Sequence, residues 1–160
     1  MSSSRVVSGE QGQGQFEDQT ARLAAFYESL SPQTVQHLAD LYDAQARFKD
    51  PFNEVKGVQA IATIFQHMFD ALESPRFVVN ETVAQGEQAL LTWTFYFHTR
   101  TGRRTRAWEI HGASHIRWGA SGKVVLHRDY WDAAEELYEK LPVLGGLMRF
   151  LKRRLGTPQA

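Results

Sequence analysis

The 160-residue sequence contains no cysteine, which excludes disulfides, thiolate metal sites and a cysteine nucleophile. Neither sign of charge is in excess. Eighteen Lys and Arg balance eighteen Asp and Glu, which argues against a nucleic-acid binder working through a global basic field. No stretch reaches the ~20 apolar residues of a membrane span. The first ten residues lack the apolar run of a secretory signal, so the expected location is the cytoplasm. What the chain does have is the balance of an ordinary folded protein, 42% hydrophobic and 22% charged, at a length suited to one domain. Such a chain buries roughly 70% of its unfolded surface and needs neither staples nor a structural metal. Its aromatic content is 12%, ten of those residues being Phe, which suits a wide core or an apolar pocket.

Residues 1–15 are rich in Ser, Gly and Gln and read as a disordered lead-in. Leu23, Phe26, Tyr27 and Leu30 recur at the spacing of one helical face, predicting a helix over 16–30. Ser31-Pro32 caps a second helix to about Tyr42. Ala46 to Asp50 alternates and stops at Pro51, the pattern of a short strand. Ile61, Ile64, Phe65, Met68, Phe69 and Leu72 then mark the clearest helix of the chain. Beyond it the period becomes two. Strands are predicted over 76–84, 88–100, 105–118 and 123–131, separated by glycine-bearing turns. Asp132 to Glu135 reads as a capping box opening a last helix. Residues 141–160 read as an amphipathic basic helix and tail. The order implies an α+β fold, a curved antiparallel sheet with helices packed on one face.

In the strand over 88–100, Trp93, Phe95 and Phe97 share one face, while Thr92, Thr94, Tyr96 and His98 share the other. Three helices cover only one face of a sheet, so the expectation is that the aromatic face is covered by a second subunit in a homodimer. Pairing 118 with 123, and centring the preceding turn near Arg103, aligns Thr94, Gly112 and Asp129 in one row. Its neighbours are then Tyr96, Ile110 and Trp131 on one side and Ser114 and His127 on the other. A carboxylate beside a glycine and ringed by aromatics describes a small-molecule pocket. A one-residue slip would dissolve the row.

Asp50 shares its face with Phe48. A carboxyl among apolar neighbours has its charged form disfavoured, which moves its pKa towards values useful for proton transfer near neutrality. Asp50 and Asp129 would then divide acid and base roles. Other readings stand beside these. Asp50 before proline also suits a turn-shaping residue, and Asp129 a salt bridge to Arg117 or Arg128. Phe65 and Met68 suit plain core or a pocket floor, and Trp131 a pocket wall or packing for the last helix. His111 and His115 lie roughly 13 Å apart on a strand and cannot chelate one ion together. Ser114 lacks the Gly-x-Ser-x-Gly setting of a hydrolase nucleophile. The tail helix, with Arg149, Lys152, Arg153 and Arg154, suits packing on its own dimer or an anionic membrane surface.

The layout over about residues 17–140, with Phe48-Lys49-Asp50-Pro51 early and His127-Arg128-Asp129-Tyr130-Trp131-Asp132 late, resembles the nuclear transport factor 2-like superfamily, and within it the SnoaL-like branch. The resemblance implies a cone-shaped roll with a pocket between sheet and helices, usually dimeric. Ketosteroid isomerases of this superfamily carry a base in an Asp-Pro motif, matched by Asp50-Pro51. Their strand segment is similar to Ser114–Trp118, but their oxyanion-hole aspartate falls on Ser114 and their helix tyrosine near Phe26, one place from Tyr27. Limonene epoxide hydrolases have a late motif matched by residues 128–132, which puts their water-activating aspartate on Asp129. Their Arg-x-Asp pair falls on Thr94 and Tyr96 and their asparagine on Asp50. The expected function is therefore a cofactor-free acid/base enzyme of isomerase, hydratase, dehydratase or cyclase type, acting on an apolar small molecule. Asp50 and Asp129 would move protons. Tyr96, Ser114 or His127 would donate hydrogen bonds, and Phe48, Phe65, Met68, Thr94, Ile110, Gly112 and Trp131 would hold the substrate. Neither a metal nor a cofactor is implied. The alternative is a non-catalytic binding or interaction module on the same fold.

Overall fold

A computed structural model describes residues 8–131, with side chains from residue 14 onward. Helix α1 (Ser8–Glu28) leads through a 3₁₀ turn (Val35–His37) and the short α2 (Leu38–Leu41) into strand β1 (Tyr42–Lys49). Strand β2 (Glu54–Lys56), helix α3 (Val58–Ala71) and strands β3 (Glu73–Gln85), β4 (Gln88–Thr101), β5 (Arg104–Trp118) and β6 (Val124–Trp131) follow. The six strands form one curved sheet in the order β2-β1-β6-β5-β4-β3. The β1–β6 contact is parallel and the others are antiparallel. The expected α+β fold is thus the observed one.

Helix α3 forms where the apolar spacing is strongest, and Val58, Ile61, Ile64, Phe65 and Met68 are its buried face. It starts after Gly57, whose φ of 103° suits glycine far better than a residue with a Cβ. Leu23 and Tyr27 of α1, and Leu30 just beyond it, pack into the same core as Leu91, Trp93 and Phe97 of β4 and Ile116 and Trp118 of β5. The core therefore lies between the helices and one sheet face.

Several expectations are corrected. Residues 8–15, read as lead-in, belong to α1. The second helix is only a 3₁₀ turn and one turn of α-helix, and Tyr42 already begins β1. Thr101 pairs with Arg104 across a two-residue turn, so Trp93 faces Gly112 and Thr94 faces His111. That one-residue difference from the expected register exchanges the faces of β4 relative to β5. Trp93, Phe95 and Phe97 consequently point at the helices, where Trp93 and Phe97 are buried, and they are not an outer surface for a second subunit. Across the β5–β6 turn the register differs by two: Ser114 faces Asp129 and Gly112 faces Trp131. An even shift keeps every side chain on its face. The last helix and the basic tail lie outside the described residues. Among those described, no helix is long and apolar enough to cross a membrane.

Candidate functional site

The parallel pairing of β1 with β6 sets Phe48 beside His127 and brings the ends of both strands to one hollow. Beyond β1, residues 50–53 form a tight turn around the Asp50 carboxyl. Asp50 Oδ1 accepts the backbone N–H groups of Phe52 at 2.7 Å and Asn53 at 2.6 Å. The Asn53 side-chain amide adds contacts of 3.2 and 3.1 Å to the two carboxylate oxygens. This is an Asx turn, so the turn-shaping reading of Asp50 is realised. The carboxyl also lines the hollow, and the two roles coexist. Burial raises the Asp50 pKa from its ordinary value. The hydrogen bonds from Asn53 and Phe52 oppose that rise, and the charge of Asp129 adds to it.

Asp129 is held from behind. Its Oδ1 accepts from Ser114 Oγ at 2.5 Å and from His127 Nε2 at 2.6 Å. The indole N–H of Trp93 donates to Ser114 Oγ at 2.8 Å. Because His127 Nε2 donates to a carboxylate, its Nδ1 is the acceptor. Tyr42 donates to it at 2.6 Å, and the Tyr27 hydroxyl lies 3.0 Å away while bonding Tyr42. The assignment of protons follows from these partners. Donation runs in one direction, from Tyr27 through Tyr42 and His127 to Asp129. Burial, as the largest cause, raises the pKa of both tyrosines, which keeps them protonated and able to donate. Among the described residues the basic side chain hydrogen-bonded to Asp129 is thus His127, whereas Arg128 stacks over Tyr130.

Gly112 has a structural reason. A Cβ there would lie 2.3 Å from the Trp93 ring, so the indole rests directly on the β5 backbone. The space expected in front of this glycine is filled by Trp93. The open volume lies farther along, a cavity of about 90 Å³ bounded by Asp50, Asp129, Phe48, Phe52, Phe65, Phe77, Trp93, Phe95, Phe97 and Trp131, with Asn53, Ile64, Met68, Leu72 and Ile110 completing its wall. A shallower groove on the far side of Asp50, Asp129 and Trp131 carries Lys49, His111 and Arg128.

Of the residues expected to form a site, the fold brings together Phe48, Asp50, Phe65, Met68, Ile110, Asp129 and Trp131 around the cavity, with Ser114 and His127 directly behind Asp129. Thr94 and Tyr96 are not part of it. Thr94 bonds Asn80 and His111 on the opposite sheet face, and Tyr96 lies under the Arg76 guanidinium at 4.2 Å. Sequence reasoning missed Trp93, Phe95 and Phe97 as lining residues, and Tyr27 and Tyr42 as partners of His127. The Asp-Pro-Phe-Asn run at 50–53 was a legible sign of the turn that holds Asp50.

The family model described as SnoaL-like domain matches residues 23–127. Among curated proteins, none matches the sequence. Among solved structures, a protein assigned as a SnoaL-like polyketide cyclase from Jannaschia sp. CCS1 superposes with a TM-score of 0.65 at 11% identity, covering 98% of this chain and 100% of that one. A ketosteroid isomerase-like protein from Catenulispora acidiphila, in complex with trimethylamine, gives 0.62 at 16% identity over 78% and 94%. An epoxide hydrolase of the limonene type from M. tuberculosis gives 0.59 at 17% identity over 89% and 96%.

Proposed function

The chain belongs to the SnoaL-like domain family, and from that premise we propose that it is a cofactor-free acid/base enzyme acting on a small, largely apolar substrate held in the cavity beside Asp50 and Asp129. The supporting observation is the pair of carboxyls converging on one aromatic hollow from opposite ends of the sequence. Their environments differ in the way acid/base pairs require. Asp50 has its pKa raised mainly by burial, which suits a group that takes and returns a proton near neutrality. Asp129 has both of its described donors on Oδ1. The carboxylate is therefore fixed in orientation, and its second oxygen is the one to receive a substrate hydroxyl or C–H proton. Reactions needing only proton movement in a dry site, namely isomerisation, hydration or dehydration and cyclisation, fit this arrangement.

A panel of apolar carbonyl compounds incubated in deuterated water, read by mass spectrometry, tests the reading. Deuterium incorporation catalysed by the wild type is expected to fall by about 100-fold or more in Asp50→Asn and Asp129→Asn. Exchange that survives both substitutions sinks it. The Asx turn favours a second reading, a non-catalytic binding module in which Asp50 serves architecture alone. On that reading Asp50→Asn, which keeps an accepting oxygen for the turn, leaves ligand binding unchanged and no exchange is seen in either protein.

A further inference from the structure

The hydrogen-bonding character of the cavity points to more than an apolar guest. Two of its lining residues carry an N–H whose partner is visible, and both are spent within the protein: the Asn53 amide on Asp50 and the Trp93 indole on Ser114. Among the described residues, the lining holds no lysine, arginine or histidine. What faces inward is carboxylate oxygen and the rings of eight aromatic residues. The Trp131 indole N–H apart, such a surface accepts and does not donate. A guest rich in carbonyl oxygens finds no more than a protonated Asp50 and the Trp131 indole to answer it, whereas a cation meets a carboxylate and π faces together. Two basic side chains of the neighbouring groove are engaged elsewhere. Lys49 pairs with Glu54 at 2.7 Å and Arg128 covers Tyr130. His127, the remaining group beside Asp129, is turned away from the cavity behind the carboxylate and closes the chain of donors to Oδ1.

We propose that the cavity between Asp129 and the aromatic wall is a site for a small organic cation, an alkylated ammonium group borne by the substrate. The proposal rests on the small-molecule reading above and names the class of guest. The volume of about 90 Å³ exceeds by several fold the on the order of 10–15 Å³ that one water needs, so a compact branched head group is the right scale. Binding the cation also relieves the unfavourable burial of two acidic side chains in one apolar space.

The test uses the full-length protein and a matched pair of probes, choline and its neutral isostere dimethylbutanol, in which carbon replaces the quaternary nitrogen. Titrations followed by two-dimensional NMR at mildly alkaline pH are expected to show choline binding at least about tenfold more tightly than the isostere, with shifts centred on Trp131 and Asp129. Asp129→Asn is expected to erase the preference. Trp131→Leu, which leaves both carboxyls in place, is expected to reduce it. An isostere that binds as well as choline overturns the cation proposal and leaves the small-molecule pocket standing. Binding of neither probe overturns both.

Discussion

At the scale of single residues, the chemistry of the site is decided by what stands behind each carboxyl. Asp129 is oriented by a serine and a histidine whose own partners are a tryptophan and two tyrosines. Asp50 is oriented by its own turn. The raised Asp50 pKa has a thermodynamic consequence of definite sign. The folded protein holds that proton more firmly than the unfolded chain does, so folding takes up a proton between the ordinary carboxylate value and the raised one. Stability from this group is complete below the ordinary value and is lost as pH rises through the raised one. Urea unfolding across that range is expected to show the wild type losing stability relative to Asp50→Asn as pH increases, with no further change above it. A difference that grows in the opposite direction contradicts the burial argument. Asp50 and Asp129 were legible as inward carboxylates because each sits at a strand end in a motif with few readings. Tyr42 was not, since apolar spacing gave it to a helix, and its role depends on β1 beginning there.

The scale of elements is where the sequence was least forgiving. Strands β1 and β3 to β6 were visible in alternation and turns, while the three-residue β2 was not, and a single residue in the β4–β5 turn decided which side of β4 met the helices. With Gly102 and Arg103 alone in the turn, the pairing puts Trp93 over Gly112. The alternating apolar and polar residues of β4 fit either face until the turn length is known. The β5–β6 error was harmless because it was even. Gly102 carries the hairpin through a φ of 62° with open space where a Cβ would stand, so its requirement is conformational and not steric. Gly102→Ala is expected to destabilise the protein by about 1–2 kcal/mol, read from the midpoint of thermal or urea unfolding. A variant as stable as the wild type shows that the turn relaxes without strain. At Gly112 the requirement is steric, since the occupant of the space is the indole itself.

On the scale of the whole molecule, protection is unequal across the sheet. The β4–β5 ladder is long, from Gln88 with Arg117 to Thr101 with Arg104, while β2 is a three-residue edge with little burial. Amide hydrogen exchange is expected to be slowest in central β4 and β5 and fastest in β2. Uniform protection would mean that the sheet opens only as a unit. The helices and strands were placed from the sequence largely because each announces itself locally. The joining of β1 to β6 was not, because parallel neighbours so distant in the chain leave no local trace.

That β1–β6 contact also fixes when a working hollow comes into being. Strands near residues 42–49 and 124–131 meet only after nearly the whole described chain has been made, and a closure of such long range is an intrinsically slow step in folding. A nascent chain that has emerged only through β5 holds Asp50 in its turn but has no Asp129 to set opposite it. Guest binding therefore reports completed chain closure, and it is a natural probe for following the final stage of refolding in real time.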